Sequence, residues 1–139
     1  MLGRLLIDLF KGAARKRTER DVVALDDLRC LVKARHGWFL ANRYDRYLGA
    51  ALIRYGEYSE IEHAFLASLL RPGENVIEVG ANIGAHTVGM ARAAGSAGTV
   101  VAVEAQPEIF QVLCANLALN GLSNVVAHPC GCGSRVDGL

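Results

Sequence analysis

The chain has 139 residues, of which 52% are hydrophobic, and its formal net charge is +1. This composition predicts one modest globular domain and excludes a disordered or fibrous protein. A net charge so close to zero gives no overall field that would gather nucleic acid or membrane lipid, so we expect no nucleic-acid partner.

The first 20 residues have the pattern of a basic amphipathic helix. Leu2, Leu5, Leu6 and Leu9 share one helical face, and the basic run KGAARKRTER follows them. Basic residues placed after apolar ones are in the wrong order for a secretory leader. The pattern would permit contact with a membrane surface, but we favour a helix that packs on its own domain.

The cysteine pattern indicates a reducing compartment. Cys30, Cys114, Cys130 and Cys132 show no CxxC spacing, so we expect no disulfide framework and predict a cytoplasmic protein. His128 lies close to two of these cysteines, but zinc sites usually have a fourth ligand and a CxxC or HxxxH spacing, so we predict no metal site. No apolar run reaches the roughly 18 residues that a membrane span requires.

Residues 21–56 are predicted to form a small β-hairpin and a connecting segment. The stretch LVKARHGWFLAN indicates two short strands around His36 and Gly37, because glycine suits a tight turn. His36 is a candidate base, although a histidine beside a turn glycine is usually only a turn residue.

A helix is predicted after this hairpin. Ser59 is expected to cap it, with Glu62 as the partner in a capping box. Three apolar residues are expected to line one face: Ile61, Phe65 and Leu69. The pair Pro72-Gly73 is expected to end it.

From residue 76 onward, strands and helices alternate. The predicted strands are Val76–Val79, Thr99–Val103 and Val125–Ala127, each continuously apolar as in a parallel sheet buried on both faces. Helices are predicted from Gly84 to Ala94 and from Pro107 to Asn120. The fold class is therefore α/β, with the Rossmann-like strand order 3-2-1 that right-handed crossovers produce.

The loop after the first of these strands has the features of a nucleotide site. Gly80 and Gly84 flank a turn that leads into a helix, whose free N–H groups attract a carboxylate or phosphate. Glu104 ends the next strand about 20 residues later, where an acid can bind both hydroxyls of a ribose.

Two residues discriminate between nucleotides. The NAD fingerprint GxGxxG, started at Gly80, requires glycine where this chain has Asn82. Glu78 would repel a pyrophosphate but suits an ammonium group. S-adenosylmethionine has such an ammonium, a carboxylate and a ribose, so we predict it as the cofactor. An NAD- or FAD-binding oxidoreductase remains an alternative, as does a non-catalytic remnant that binds only cofactor or a partner.

Three segments, GEYSEIE, RPGENVIEVGANIGAHTV and GTVVAVEAQPEIFQVLCANLALNGLSNV, resemble the FkbM family of S-adenosylmethionine-dependent methyltransferases. The resemblance assigns the following residues to the cofactor site: Glu78, Gly80, Ala81, Asn82, Gly84, His86, Thr87, Glu104 and Ala105. It also covers Tyr58 and Ser59, to which we assign no role. It implies O-methylation of a hydroxyl on a sugar, lipid or small natural product, and no catalytic residue can be named.

The sequence also suggests an incomplete sheet. A ligand crevice in this fold forms where the winding reverses, which requires a fourth strand beside Val76–Val79, and the FkbM family continues with an acidic motif that is absent here. We therefore expect residues 57–139 to be the first half of a truncated domain. Its exposed sheet edge would favour self-association, and Trp38 and Tyr44 are candidates for a lid.

Overall fold

The structure, a computed structural model, describes residues 21–134. An antiparallel sheet comes first, with strands β1 (Val22–Ala24), β2 (Arg29–Ala34) and β3 (Gly37–Asn42). Two helices follow, α1 (Leu48–Tyr55) and α2 (Glu60–Leu69). The remaining elements alternate in the order β4 (Val76–Val79), α3 (Ala85–Ala94), β5 (Val100–Val103), α4 (Pro107–Leu119) and β6 (Val125–His128). The predicted N-terminal helix lies outside the described residues.

The second sheet confirms the predicted α/β fold. Its strands are parallel in the order β4-β5-β6, with Val76 opposite Val100 and Val100 opposite Val125. Val100 packs against α3, and Ala102, two residues along the same face, packs against α4. Both helices therefore lie on the same face of the sheet. This is expected because both right-handed crossovers move in the same direction across the sheet, from β4 to β5 to β6.

The opposite face of this sheet corrects one expectation. We predicted strands buried on both sides, but Ile77 is 73% exposed and Val126 is 47% exposed. These two residues flank Val101 in register, on the side away from α3 and α4. Within residues 21–134 the sheet is thus covered on one face only.

The predicted hairpin forms, but it belongs to a three-stranded sheet of order β1-β2-β3. The turn consists of Arg35 and His36, while Gly37 already pairs with Ala34 as the first residue of β3. Strand β1 was missed because three residues are too short to show an alternating pattern. Helix α1, within the predicted connecting segment, was missed as well.

Helix α2 begins where predicted but is capped differently. Ser59 has a left-handed φ of 49° and makes no capping bond to the backbone; instead its hydroxyl donates to Glu62 at 2.8 Å. The predicted capping box is therefore wrong, because a capping serine needs an extended backbone to reach the helix amides. The three predicted apolar residues do share a face, but each is about 60% exposed: Ile61, Phe65 and Leu69.

One continuous core joins the N-terminal sheet to the loop after β4. Phe39 of β3 and Leu52 of α1 are almost fully buried in the same cluster as Ile83 and Val88. The N-terminal sheet consequently supports the segment that the sequence identifies as the cofactor loop. Among residues 21–134, no helix is both long and apolar enough to cross a membrane.

Candidate cofactor site

The loop between β4 and α3, residues 80–84, has a distinctive backbone. Gly80, Asn82 and Gly84 have positive φ values of 83°, 50° and 88°. Asparagine is one of the few residues besides glycine that readily adopts this conformation, and the Asn82 Oδ1 accepts a hydrogen bond from the Ile83 amide at 2.7 Å. The residue that departs from the NAD fingerprint is thus well suited to this turn.

The end of β5 fixes one side of the loop. The amides of Gly80 and Ala81 both donate to the Val103 carbonyl, at 2.8 and 2.9 Å. The next amide, of Asn82, donates to Oε2 of Glu104 at 2.9 Å. The structure therefore brings together the glycine loop and the predicted ribose-binding acid.

Two backbone amides hold the carboxylate of Glu104. Its second oxygen, Oε1, accepts a hydrogen bond from the Gln106 amide at 2.8 Å, and the residue is only 6% exposed. An ionised carboxylate has about four acceptor sites, so each oxygen retains capacity for a ligand hydroxyl. Ala105, predicted to lie beside the adenosine, is half-buried next to Gly131.

Glu78 and Thr87 form a hydrogen-bonded pair beneath the loop. The Thr87 hydroxyl donates to Oε2 of Glu78 at 2.5 Å, and Thr87 is fully buried. Burial raises the pKa of Glu78 to about 7, and the threonine hydrogen bond partly opposes this effect. Thr87 therefore holds one oxygen of the Glu78 carboxyl group.

His86, in the first turn of α3, faces α2. Its Nε2 lies 3.5 Å from Oε2 of Glu62, and its ring centroid lies 5.7 Å from that of Tyr58. The buried Nδ1 of His86 has no hydrogen-bond partner among the described residues. The segment containing Tyr58 therefore lies close to the start of α3.

Sequence reasoning missed a stack of histidine rings that continues from His86. The ring of His63 lies 3.7 Å from that of His36 and 6.2 Å from that of His86. Burial lowers the pKa of His63, and the neighbouring His36 adds to this effect. His36 itself contacts Glu60 at 2.9 Å, so it serves as a turn residue bonded to α2.

The two residues predicted to form a lid, Trp38 and Tyr44, do not lie over this loop. Trp38 is bonded through its backbone to Asn120, at the end of α4 farther from Glu104, and Tyr44 is 72% exposed. Across residues 21–134, no three His, Cys, Asp or Glu side chains are arranged to hold a metal ion.

The arrangement offers three complementary groups around one loop. Glu78 can bind an ammonium group, the free amides at the start of α3 can bind a carboxylate, and Glu104 can bind ribose hydroxyls. Together these groups fit a nucleoside joined to an amino acid better than they fit a dinucleotide pyrophosphate.

Comparisons with known proteins agree with this chemistry. A family model described as the TRM5/TYW2 methyltransferase domain matches residues 45–135. Protein-L-isoaspartate O-methyltransferase 1 of Archaeoglobus fulgidus is 38% identical in an alignment 78 residues long, which covers 53% of this chain and 36% of that protein. The match therefore spans little more than a third of that relative.

Two solved structures show the same fold. TYW2 of M. jannaschii in complex with AdoMet has a TM-score of 0.60 and 22% identity, covering 78% of this chain and 46% of that one. TYW2 of P. horikoshii in complex with MeSAdo has a TM-score of 0.61 and 20% identity, covering 76% of this chain and 37% of that one.

The match to a methyltransferase family supports the predicted cofactor, S-adenosylmethionine, over NAD or FAD. The predicted FkbM family is not the one whose model matches. The family model covers most of the chain and includes the whole glycine loop and Glu104. The chain belongs to the TRM5/TYW2 methyltransferase domain family.

Proposed function

We propose that this chain supplies the cofactor-binding part of an enzyme that transfers a methyl group from S-adenosylmethionine to an oxygen atom. The observation that carries this proposal is the placement of Glu78 and Glu104 on either side of the glycine loop. The name of the Archaeoglobus fulgidus relative, an O-methyltransferase, and the resemblance to FkbM methyltransferases support oxygen as the acceptor atom.

The residues of the chain hold and orient the donor. S-adenosylmethionine, when bound, would supply a methyl group on its sulfonium sulfur; the acceptor hydroxyl would take this group, with the sulfur leaving as a thioether and the proton released to solvent. Glu78 receives the ammonium group, and the first amides of α3 receive the carboxylate. Glu104, held by two backbone amides, fixes the ribose. Such sites accelerate transfer chiefly by alignment and exclusion of water.

The acceptor we propose is a hydroxyl on a sugar, lipid or small natural product, in the cytoplasm. The formal net charge of +1 supports a small or neutral acceptor over nucleic acid. No residue is assigned as a general base.

Calorimetry tests the cofactor assignment. We expect S-adenosylhomocysteine, the demethylated product, to bind the 139-residue chain and NADH to give no binding heat. Glu104→Gln keeps the size of the side chain but removes the charge that favours two hydroxyl donors, and should weaken binding about tenfold. Equal binding of both ligands would contradict the assignment.

Isotope labelling tests the acceptor. The protein is incubated with methyl-labelled S-adenosylmethionine and separate pools of saccharides, lipids, peptides and RNA, and the labelled products are treated with mild base. A methyl ether survives this treatment, whereas a methyl ester on a carboxyl group releases methanol. Base-stable label in the saccharide or lipid pool supports the proposal. Label confined to RNA, or base-labile label confined to peptides, would each contradict it.

A further inference from the structure

The free edge of β3 is closed by the side chains of Asn116, in α4, and of Asn120, directly after that helix. In the order β1-β2-β3, the strand β3 has one neighbour, so half of its backbone groups point away from the sheet. The Leu40 amide donates to Oδ1 of Asn116 at 2.6 Å, and Nδ2 of Asn116 donates back to the Leu40 carbonyl at 3.2 Å. Asn120 bonds both backbone groups of Trp38 in the same way, at 3.0 and 2.7 Å.

The spacing of the two elements explains this fit. Residues four apart on a helix are separated by about 6 Å along the axis, and alternate residues of a strand by about 6.8 Å. Asn116 and Asn120 can therefore bond Trp38 and Leu40 simultaneously. Gly37 permits the approach, since a Cβ there would lie only 1.9 Å from Oδ1 of Asn120.

Only one of the two asparagines reaches the cofactor loop. Asn116 has no exposed surface, and its Nδ2 also donates to the Ile83 carbonyl at 2.8 Å. Asn120 is half-buried; its Nδ2 also donates to the Asn116 carbonyl at 2.8 Å, and its Oδ1 accepts a bond from Arg92 of α3 at 3.4 Å, so it has no bond to the loop itself. Both asparagines thus make the same kind of contact with β3, but only Asn116 is also bonded to the loop.

Helix α4 also limits the loop sterically. Leu113, one turn before Asn116, lies so that a Cβ at position 84 would come within 2.9 Å of its Cδ1. Leu113 therefore packs against Gly84 from the same helix from which Asn116 holds Ile83. With Glu104 on the amide of Asn82, the loop backbone is held from both β5 and α4.

We propose that Asn116 is a positioning residue for cofactor binding. By holding the Ile83 carbonyl and both backbone groups of Leu40, it fixes the glycine loop in its ligand-accepting conformation and couples that loop to the N-terminal sheet.

Matched substitutions separate this role from simple stabilisation. Asn116→Asp and Asn120→Asp each keep the acceptor oxygen and remove the donating group. In the unliganded chain, we expect hydrogen exchange at the Asn82 and Gly84 amides to quicken about tenfold in Asn116→Asp and less than about twofold in Asn120→Asp. The dissociation constant for S-adenosylhomocysteine should change by the same factors. Equal effects of the two variants, in proportion to their lost stability, would overturn the proposal.

Two further measurements cover the case in which Asn116→Asp does not fold. Asn116→Ser retains a short hydroxyl that cannot bond both carbonyls, and should give the same selective loss. In the unmodified chain, saturation with S-adenosylhomocysteine should slow exchange at the Leu40 amide severalfold and leave the Trp38 amide unchanged. Equal changes at both amides, or no change at Leu40, would refute the coupling. Neither measurement requires an acceptor or turnover, so the result is independent of the proposed O-methyl transfer.

Discussion

Glu78 illustrates how one buried carboxyl group can link pH to both stability and ligand binding. Its pKa is raised to about 7 because burial disfavours the ionised form, and the ordinary value is 4.5. Between these two values the folded chain holds a proton that the unfolded chain has released. The contribution of Glu78 to stability therefore falls as pH rises from about 4.5 to about 7.

Replacement of Glu78 by Gln should remove this dependence. The free energy of unfolding of the unmodified chain, relative to that of Glu78→Gln, should decline by up to about 3 kcal/mol between about pH 4.5 and 7. Above about pH 7 the difference should level off. Denaturant unfolding at four or five pH values measures the difference. A flat difference across this range would show that the carboxyl group is not effectively desolvated.

Binding of an ammonium group beside Glu78 should favour its ionised form and release a proton. Near pH 6.5, the observed binding enthalpy of S-adenosylhomocysteine should therefore vary with the ionisation enthalpy of the buffer. Glu78→Gln is the control, and its enthalpy should show a weaker buffer dependence. The same dependence in both proteins would exclude Glu78 as the proton source.

The individual residues were predictable to different degrees. The position of Glu104 beside the glycine loop could be predicted, because a strand, a glycine turn and a following strand-end acid have a fixed spacing in sequence. Asn116 could not, because an asparagine inside a helix resembles any other polar helix position until the partner strand is known. The role of Thr87 was also hidden, since its partner is nine residues earlier on a different element.

At the scale of elements, helices α2 and α3 are in contact where the imidazole ring of His63 lies against Gly89. A Cβ at position 89 would lie 1.6 Å from the His63 ring, so these helices can approach only because Gly89 has no side chain. Sequence patterning could not show this contact, because it identifies faces of helices but not their pairing.

Gly89→Ala should therefore separate the two helices and destabilise the fold by about 2 kcal/mol, the range of overpacked cores. His63→Ala vacates the space, so the double variant should lose less stability than the sum of the single changes. Thermal or denaturant unfolding of the three variants measures this coupling. Additive losses would mean that His63 and Gly89 do not share a tight contact.

The strands and helices that follow residue 75 were predicted almost to the residue, because parallel strands and their crossover helices alternate in composition. The short strand β1 and helix α1 were not, because their segments show no such alternation. The cap of α2 was misjudged since the backbone angle of Ser59 depends on tertiary contacts.

At the scale of the whole molecule, the parallel sheet presents an apolar surface within residues 21–134. Ile77 and Val126 are exposed on the face away from the helices, and β4 forms an edge of the sheet. Exposed strands of this kind favour pairing with a second copy. We expect the 139-residue chain to self-associate at micromolar concentrations. The double substitution Ile77→Thr and Val126→Thr should reduce association in sedimentation velocity, whereas Val23→Thr on β1 should not. A monodisperse unmodified chain would contradict this expectation.

The shared core around Phe39 and Ile83 bears on how the protein can be divided. The family match begins at residue 45, after β3 has ended. A shorter chain that began there would lack Leu40, so the buried Oδ1 of Asn116 would lose the bond from the Leu40 amide, and Nδ2 would keep only its bond to the Ile83 carbonyl. We therefore expect that residues 45–135, which the family model matches, do not fold without the N-terminal sheet.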